Sequence, residues 1–169
     1  MTNYSLDDIK KKVDELALLI NAPSDLLPSY GYSIDFGYSH IEVDNAGQMH
    51  YVTVERGHER NRKTYSQLDD LLFSIFSNAT SSMAVDFEIN NRTDNKDCRR
   101  LMFKKQEELL GLINSNWRQK EQEDHENILK INPFDDFASI RADLSQSLRD
   151  NGKTSADAWS EACSKYPLP

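Results

Sequence analysis

Apolar residues recur at helical spacing in two places and alternate at strand spacing in one, and those three patterns set the architecture. Ile9, Val13, Leu16, Leu19 and Ile20 line one face of a first helix. Ser5 caps it, Asp7 and Asp8 favour its first turn, and Ala22-Pro23 ends it after Asn21. Leu26 to Tyr38 is rich in Pro, Gly, Ser and Tyr and reads as a loop or irregular strand. His40–Val43 and Met49–Glu55 then alternate as a β-hairpin, with Asn45-Ala46-Gly47 as a three-residue turn carrying Gly at the left-handed position. That register sets Glu42 opposite His50 and Ile41 opposite Tyr51. Ile41, Val43, Met49, Tyr51 and Thr53 share the face that packs on helices, and His40, Glu42, His50, Val52 and Val54 share the other. A third strand is expected over Arg60–Tyr65, after a turn at Gly57.

The second helical stripe is Leu68, Leu71, Leu72, Ile75, Phe76, Ala79, Met83 and Phe87, with Ser66 and Asp69 as its capping box. Asp97 starts a further helix whose Leu101, Leu109, Leu112 and Ile113 face inward, and Gly111 predicts an early end to it. Trp117–Lys130 is helical but so charged that only Trp117, Ile128 and Leu129 offer burial, so it is expected on the surface. Pro133 closes it. Phe137–Asp150 and Thr154–Ser164 read as two short helices around Asn151-Gly152, from which Leu144 and Trp159 could dock on a core. The fold class is therefore α+β: a small antiparallel hairpin or three-stranded sheet against several helices, with a helix-rich C-terminal half. The organisation expected is one domain over residues 1–136 and a helical extension over 137–169.

Composition narrows the function. The chain has 169 residues, 38% of them hydrophobic and 28% charged, with mean hydropathy of -0.70. That suits one domain with a modest core. No apolar run approaches the roughly 20 residues that span a bilayer, and no secretory signal pattern is visible at the N-terminus. Cys98 and Cys163 are too few for a disulfide framework and are expected as reduced thiols, placing the chain in the cytoplasm. Asn78-Ala-Thr80 and Asn91-Arg-Thr93 match a glycosylation pattern by chance. The formal net charge of -8 argues against nucleic acid and anionic membranes as partners. It suits either simple solubility or the steering of a basic protein partner.

Candidate chemistry is sparse. His40, Glu42 and His50 on one hairpin face could hold zinc with an open fourth position, which would allow a small metal-dependent hydrolase, or they form an ordinary cross-strand Glu–His pair. His58-Glu59 lacks the second histidine of a zinc-protease helix, because position 62 is Arg. Asp124-His125-Glu126 reads as a solvated helix face. Cys98, near a helix start, has no paired histidine to activate it. Glu55, Arg56, Glu59, Arg60 and Arg62 crowd around Gly57, either as a solvated edge or as a recognition edge. Asp135-Asp136 either anchors a helix end or presents carboxylates to a partner. Trp117 is a helix-docking residue, or a binding hot spot where exposed.

Several segments together resemble the immunity protein 63 family of bacterial polymorphic-toxin systems. They are His50-Tyr51-Val52, Glu55-Arg56-Gly57 with Glu59, Leu68-Asp69-Asp70-Leu71-Leu72 with Ile75-Phe76, and Ser82-Met83-Ala84. Further on come Asp97 with Arg99-Arg100-Leu101, Phe103-Lys104-Lys105-Gln106, Leu109-Leu110, Trp117 and Pro133-Phe134-Asp135-Asp136. The resemblance covers Leu27 to Asp136 and has no counterpart for Tyr30–Ser39 or beyond Phe137. It implies a cytosolic protein that binds and neutralises one cognate toxin domain, and with no nucleophile, phosphate loop or metal-ligand spacing in the chain no enzyme activity, cofactor or metal is expected. The partner-binding residues expected are Glu55, Arg56, Glu59, Arg60, Asp135, Asp136 and Trp117. An adaptor for another protein partner is the remaining alternative.

Overall fold

A computed structural model describes residues 4–169. Two compact units emerge: the chain up to Met83 with Gln106–Gln119, and Ala84–Lys105 with Lys120–Pro169.

The first unit holds helix α1 (Leu6–Ile20) and a four-stranded sheet in the order β1 (Ser29–Tyr30), β2 (Ser39–Val43), β3 (Met49–Glu55), β4 (His58–Tyr65). The sheet is mixed: β1 runs parallel to β2, and the other pairs are antiparallel. Two donors at the start of α1 are satisfied reciprocally. The Asp8 amide donates to Ser5 Oγ at 3.2 Å, and the Ser5 amide donates to Asp8 Oδ2 at 3.0 Å. Ile9, Val13, Ala17 and Ile20 face the core, whereas Leu19, expected inside, is exposed. The buried face is one helical stripe that passes through the small Ala17.

The β2–β3 register is the expected one, with Ile41 opposite Tyr51 and Glu42 opposite His50. Gly47, at φ 76°, closes the turn, and Asp44 Oδ1 accepts from the amides of Ala46 and Gln48. Strand β4 starts at His58, two residues earlier than expected. Arg56 and Gly57, both left-handed at φ 54° and 72°, form a two-residue connection of the kind that matches strand twist. The register then shifts: Thr53 pairs with Asn61 but Val54 with Glu59, so Arg60 is a bulged residue.

The core of this unit gathers Ile41, Met49 and Tyr51 from the sheet and the buried stripe of α1. Leu71, Leu72, Phe73, Ile75 and Phe76 join from α2 (Leu68–Asn91), with Leu109 and Leu110 from α3 (Arg99–Ile113) and Trp117 from α4 (Ser115–Ile131). Helix α2 begins one residue later than a Ser66 cap would set, and Asp69 accepts from Trp117 instead of closing a capping box. In α3, Leu110 rather than Leu112 faces inward, and Leu112 is exposed. Gly111 does not end α3. A Cβ there would stand 3.0 Å from Cδ of the Arg118 side chain, which would have to shift to admit it.

The second unit contains the far parts of α2, α3 and α4 with α5 (Ala138–Asp150) and α6 (Ser155–Lys165). Ala158 and Ala162 of α6 are fully buried, whereas Trp159 is exposed with the Arg141 guanidinium 5.6 Å from its ring. The stretch of α4 in this unit differs from the sequence expectation. Ile128 is exposed, and the buried positions are Glu121 and His125, one turn apart. His125 lies flat on Phe103, with ring centroids 3.8 Å apart and planes at 7°. It is therefore a packed residue and not part of a solvated face.

Candidate functional site

The charged residues expected at the hairpin edge do converge, in two groups. On the outer sheet face, Arg62 donates to Glu42 Oε2 at 2.7 Å and to both oxygens of Glu59 at 3.0 and 2.7 Å. His40 Nε2 lies 2.9 Å from Glu42 Oε1. Hydrogen bonds from Arg62 and then His40 hold the Glu42 carboxyl below its ordinary value, and Arg62 does the same for Glu59. The same bonds raise the Arg62 guanidinium. Beneath this layer Val52 is buried and His40 is only 4% exposed. The face that carries His40, Glu42 and Val52 is thus covered by its own ion pairs.

The second group is the hairpin tip. Glu55 sits near Arg60 and Arg56, at 3.7 and 3.9 Å, and the Arg56 side chain projects with 85% exposure. A feature the sequence reading missed adjoins this tip. The Gly57 amide donates to Asp35 Oδ2 at 3.0 Å, and the Gly37 amide donates to Val54 O at 2.8 Å, fastening the loop of residues 31–38 to it. Asp35, Phe36 and Gly37 all carry positive φ, at 61°, 56° and 81°. For a residue as bulky as Phe36 that conformation is strained and persists only because the surroundings over-determine it. Its effect is to hold Phe36 85% exposed, next in sequence to the Asp35 that anchors the hairpin tip. Tyr32, Ile34 and Tyr38 of the same loop are exposed too. The signal in the sequence is Tyr32-x-Ile34-x-Phe36-x-Tyr38, an alternation that would suit a half-buried strand but is not used as one.

The other expected site residues are engaged internally. Trp117 is 3% exposed, so it is not a surface hot spot. It stacks on Phe76, meets Phe73 edge-on, and donates its indole N–H to Asp69 at 3.2 Å. Asp136 accepts from the Asp97 amide at 3.0 Å, from Lys96 at 3.1 Å and from Arg100 at 2.8 Å. Arg100, foremost, holds its carboxyl well below the ordinary carboxylate range. Asp135 accepts from Arg141, whose guanidinium also donates to Tyr166 O and Pro167 O. Asp135 and Asp136 therefore hold the segment after α4 against the start of α3, with Phe134 under Arg100 at 4.2 Å.

The hairpin histidines do share a face, but each is committed elsewhere: His40 to Glu42, and His50 to Thr64 and Asp44. Among the described residues no group of three or more His, Cys, Asp or Glu side chains could hold a metal ion. No helix among them is long and apolar enough to cross a membrane.

The fold is α+β, and its first unit presents a charged hairpin tip with a loop of exposed apolar side chains fastened to it. The family model described as immunity protein 63 matches residues 44–127, about half of the chain, and the chain belongs to that family. The matched segment contains the hairpin tip and Trp117 but neither the 31–38 loop nor Asp135 and Asp136. No curated protein and no solved structure matches the chain.

Proposed function

We propose that this chain is a cytoplasmic immunity protein that binds one cognate toxin domain and neutralises it stoichiometrically, without catalysis. Family membership points to a protein partner in general. The observation that carries the finer reading is the hairpin tip, where Arg56 and Phe36 stand exposed on a backbone held rigid by the Gly57–Asp35 and Gly37–Val54 hydrogen bonds. Exposed aromatic and arginine side chains are the residue types that dominate binding energy at protein interfaces. Preorganisation of the segment that presents them lowers the ordering cost of association. Glu55, Glu59 and Arg60 supply fixed charges around that anchor. The excess negative charge of the chain would speed the approach of a basic toxin domain.

Growth rescue tests the proposal. The C-terminal domain encoded immediately upstream of this chain's gene is induced in a bacterial host with and without the chain. Rescue with co-purification of the two proteins is the expected result. A toxic neighbour that this chain neither rescues nor binds would remove that pairing.

A further inference from the structure

A groove of about 640 Å³ lies along α1 and the 31–38 loop in the first unit. Its apolar wall is Tyr30, Tyr32, Ile34 and Tyr38, and the last three are exposed. Its rim is acidic. Asp7, Asp14 and Asp25 line it against a single cation, Lys10, which is already paired with Asp14 at 2.5 Å. Among the described residues Asp7 and Asp25 are in no ion pair, so the groove carries uncompensated negative charge beside open apolar surface. All of these groups lie outside the segment that matches the family.

An acidic rim around an aromatic wall suits one kind of occupant. A neutral apolar segment would leave the two carboxylates without charge partners, and an acidic segment would be repelled. A segment carrying Lys or Arg beside aliphatic side chains satisfies both surfaces. We propose that this groove docks a cationic, apolar-bearing segment of the partner protein, an inference that rests on reading the chain as an immunity protein. Tyr32 and Ile34 receive the apolar side chains, and Asp7 and Asp25 receive the cations.

The test titrates the full isotopically labelled chain with two short synthetic peptides of equal length, one of leucine and lysine, the other of leucine and glutamate. The leucine–lysine peptide is expected to shift backbone resonances of Tyr30–Tyr38 and of the first turns of α1, saturably, and the leucine–glutamate peptide is not. Joint Asp7→Asn and Asp25→Asn substitution, on exposed positions that leave the fold intact, is expected to weaken the leucine–lysine peptide by about tenfold. Equal binding of both peptides, shifts centred elsewhere, no binding, or indifference to the double substitution would each overturn the proposal. The two readings fail separately. A rescued toxin domain that binds the double variant with Ile34→Ser undiminished removes the groove and leaves the immunity function. Occupation of the groove by the leucine–lysine peptide, with no toxin domain rescued, leaves the groove and removes the function.

Discussion

Glu59 and Arg62 lie three residues apart on β4, yet both side chains stand on the outer face of the sheet because Arg60 is bulged between them. In an unbroken strand, positions three apart point to opposite faces. The bulge restores them to one face and allows the paired hydrogen bonds that cover Val52. Arg62→Ala is therefore expected to let Glu42 and Glu59 titrate upward, toward the ordinary value of 4.5. Both carboxyls are depressed in the folded state, so their contribution is present above that value and is lost as pH falls through the folded pKa. The wild-type chain should lose stability as pH drops below about 4.5, and the variant should show a shallower acid limb. Side-chain titration by NMR, with denaturation across pH, checks both parts.

Trp117 separates packing from hydrogen bonding. Trp117→Phe keeps a ring against Phe73 and Phe76 but removes the N–H donated to Asp69. Asp69 is exposed and can turn to water, so the expected cost is about 0.5–1.5 kcal/mol. Trp117→Ala empties a core position and should cost about 3–5 kcal/mol, as should Phe76→Ala. Chemical denaturation orders the three. A Trp117→Ala variant as stable as wild type would mean the tryptophan is not the core residue described.

How legible this architecture was depends on where the determinants lie. The β2–β3 register could be read because Ile41, Met49 and Tyr51 alternate and Gly47 marks the turn within a few residues. The stripe of α2 was equally plain. The buried side of α4 was not, since Glu121 and His125 carry no apolar signal, and their burial depends on Phe103 from another helix. The β4 bulge was invisible because it depends on pairing with β3. At the site, the charges of the hairpin tip were found from their crowding around Gly57 in the sequence. The anchoring of Asp35 to Gly57, and so the exposure of Phe36, spans 22 residues and follows no local pattern.

Asp97 is the hub of the second unit's short-range anchoring. Its carboxylate accepts from Arg99 Nη2 at 2.6 Å, from the Arg99 amide at 3.0 Å and from the Asp135 amide at 2.9 Å. Burial alone would raise this carboxyl, but these donors outweigh it and leave the group lowered. Asp97→Ala is expected to cost about 1–3 kcal/mol by orphaning those donors. Hydrogen exchange should accelerate at residues 134–136 in this variant while the hairpin amides keep their protection. Uniform acceleration across the chain would argue against a local anchor.

The hairpin tip offers the sharpest contrast between stability and function. Arg56→Ala, Glu59→Ala and Arg60→Ala remove exposed side chains and should shift the denaturation midpoint little. Phe36→Gly goes further, because glycine accepts the left-handed conformation that strains phenylalanine, so the variant should be unchanged or more stable by up to about 1 kcal/mol. If the tip is where the toxin domain docks, the same change should weaken the complex by about tenfold or more, through loss of an aromatic anchor. Calorimetric titration of the toxin domain into each variant, beside thermal melts, measures both quantities. A Phe36→Gly chain that gains stability and loses binding would show why the strained conformation is kept: it presents the side chain to a partner. Undiminished binding by all four variants would move the interface away from the hairpin tip.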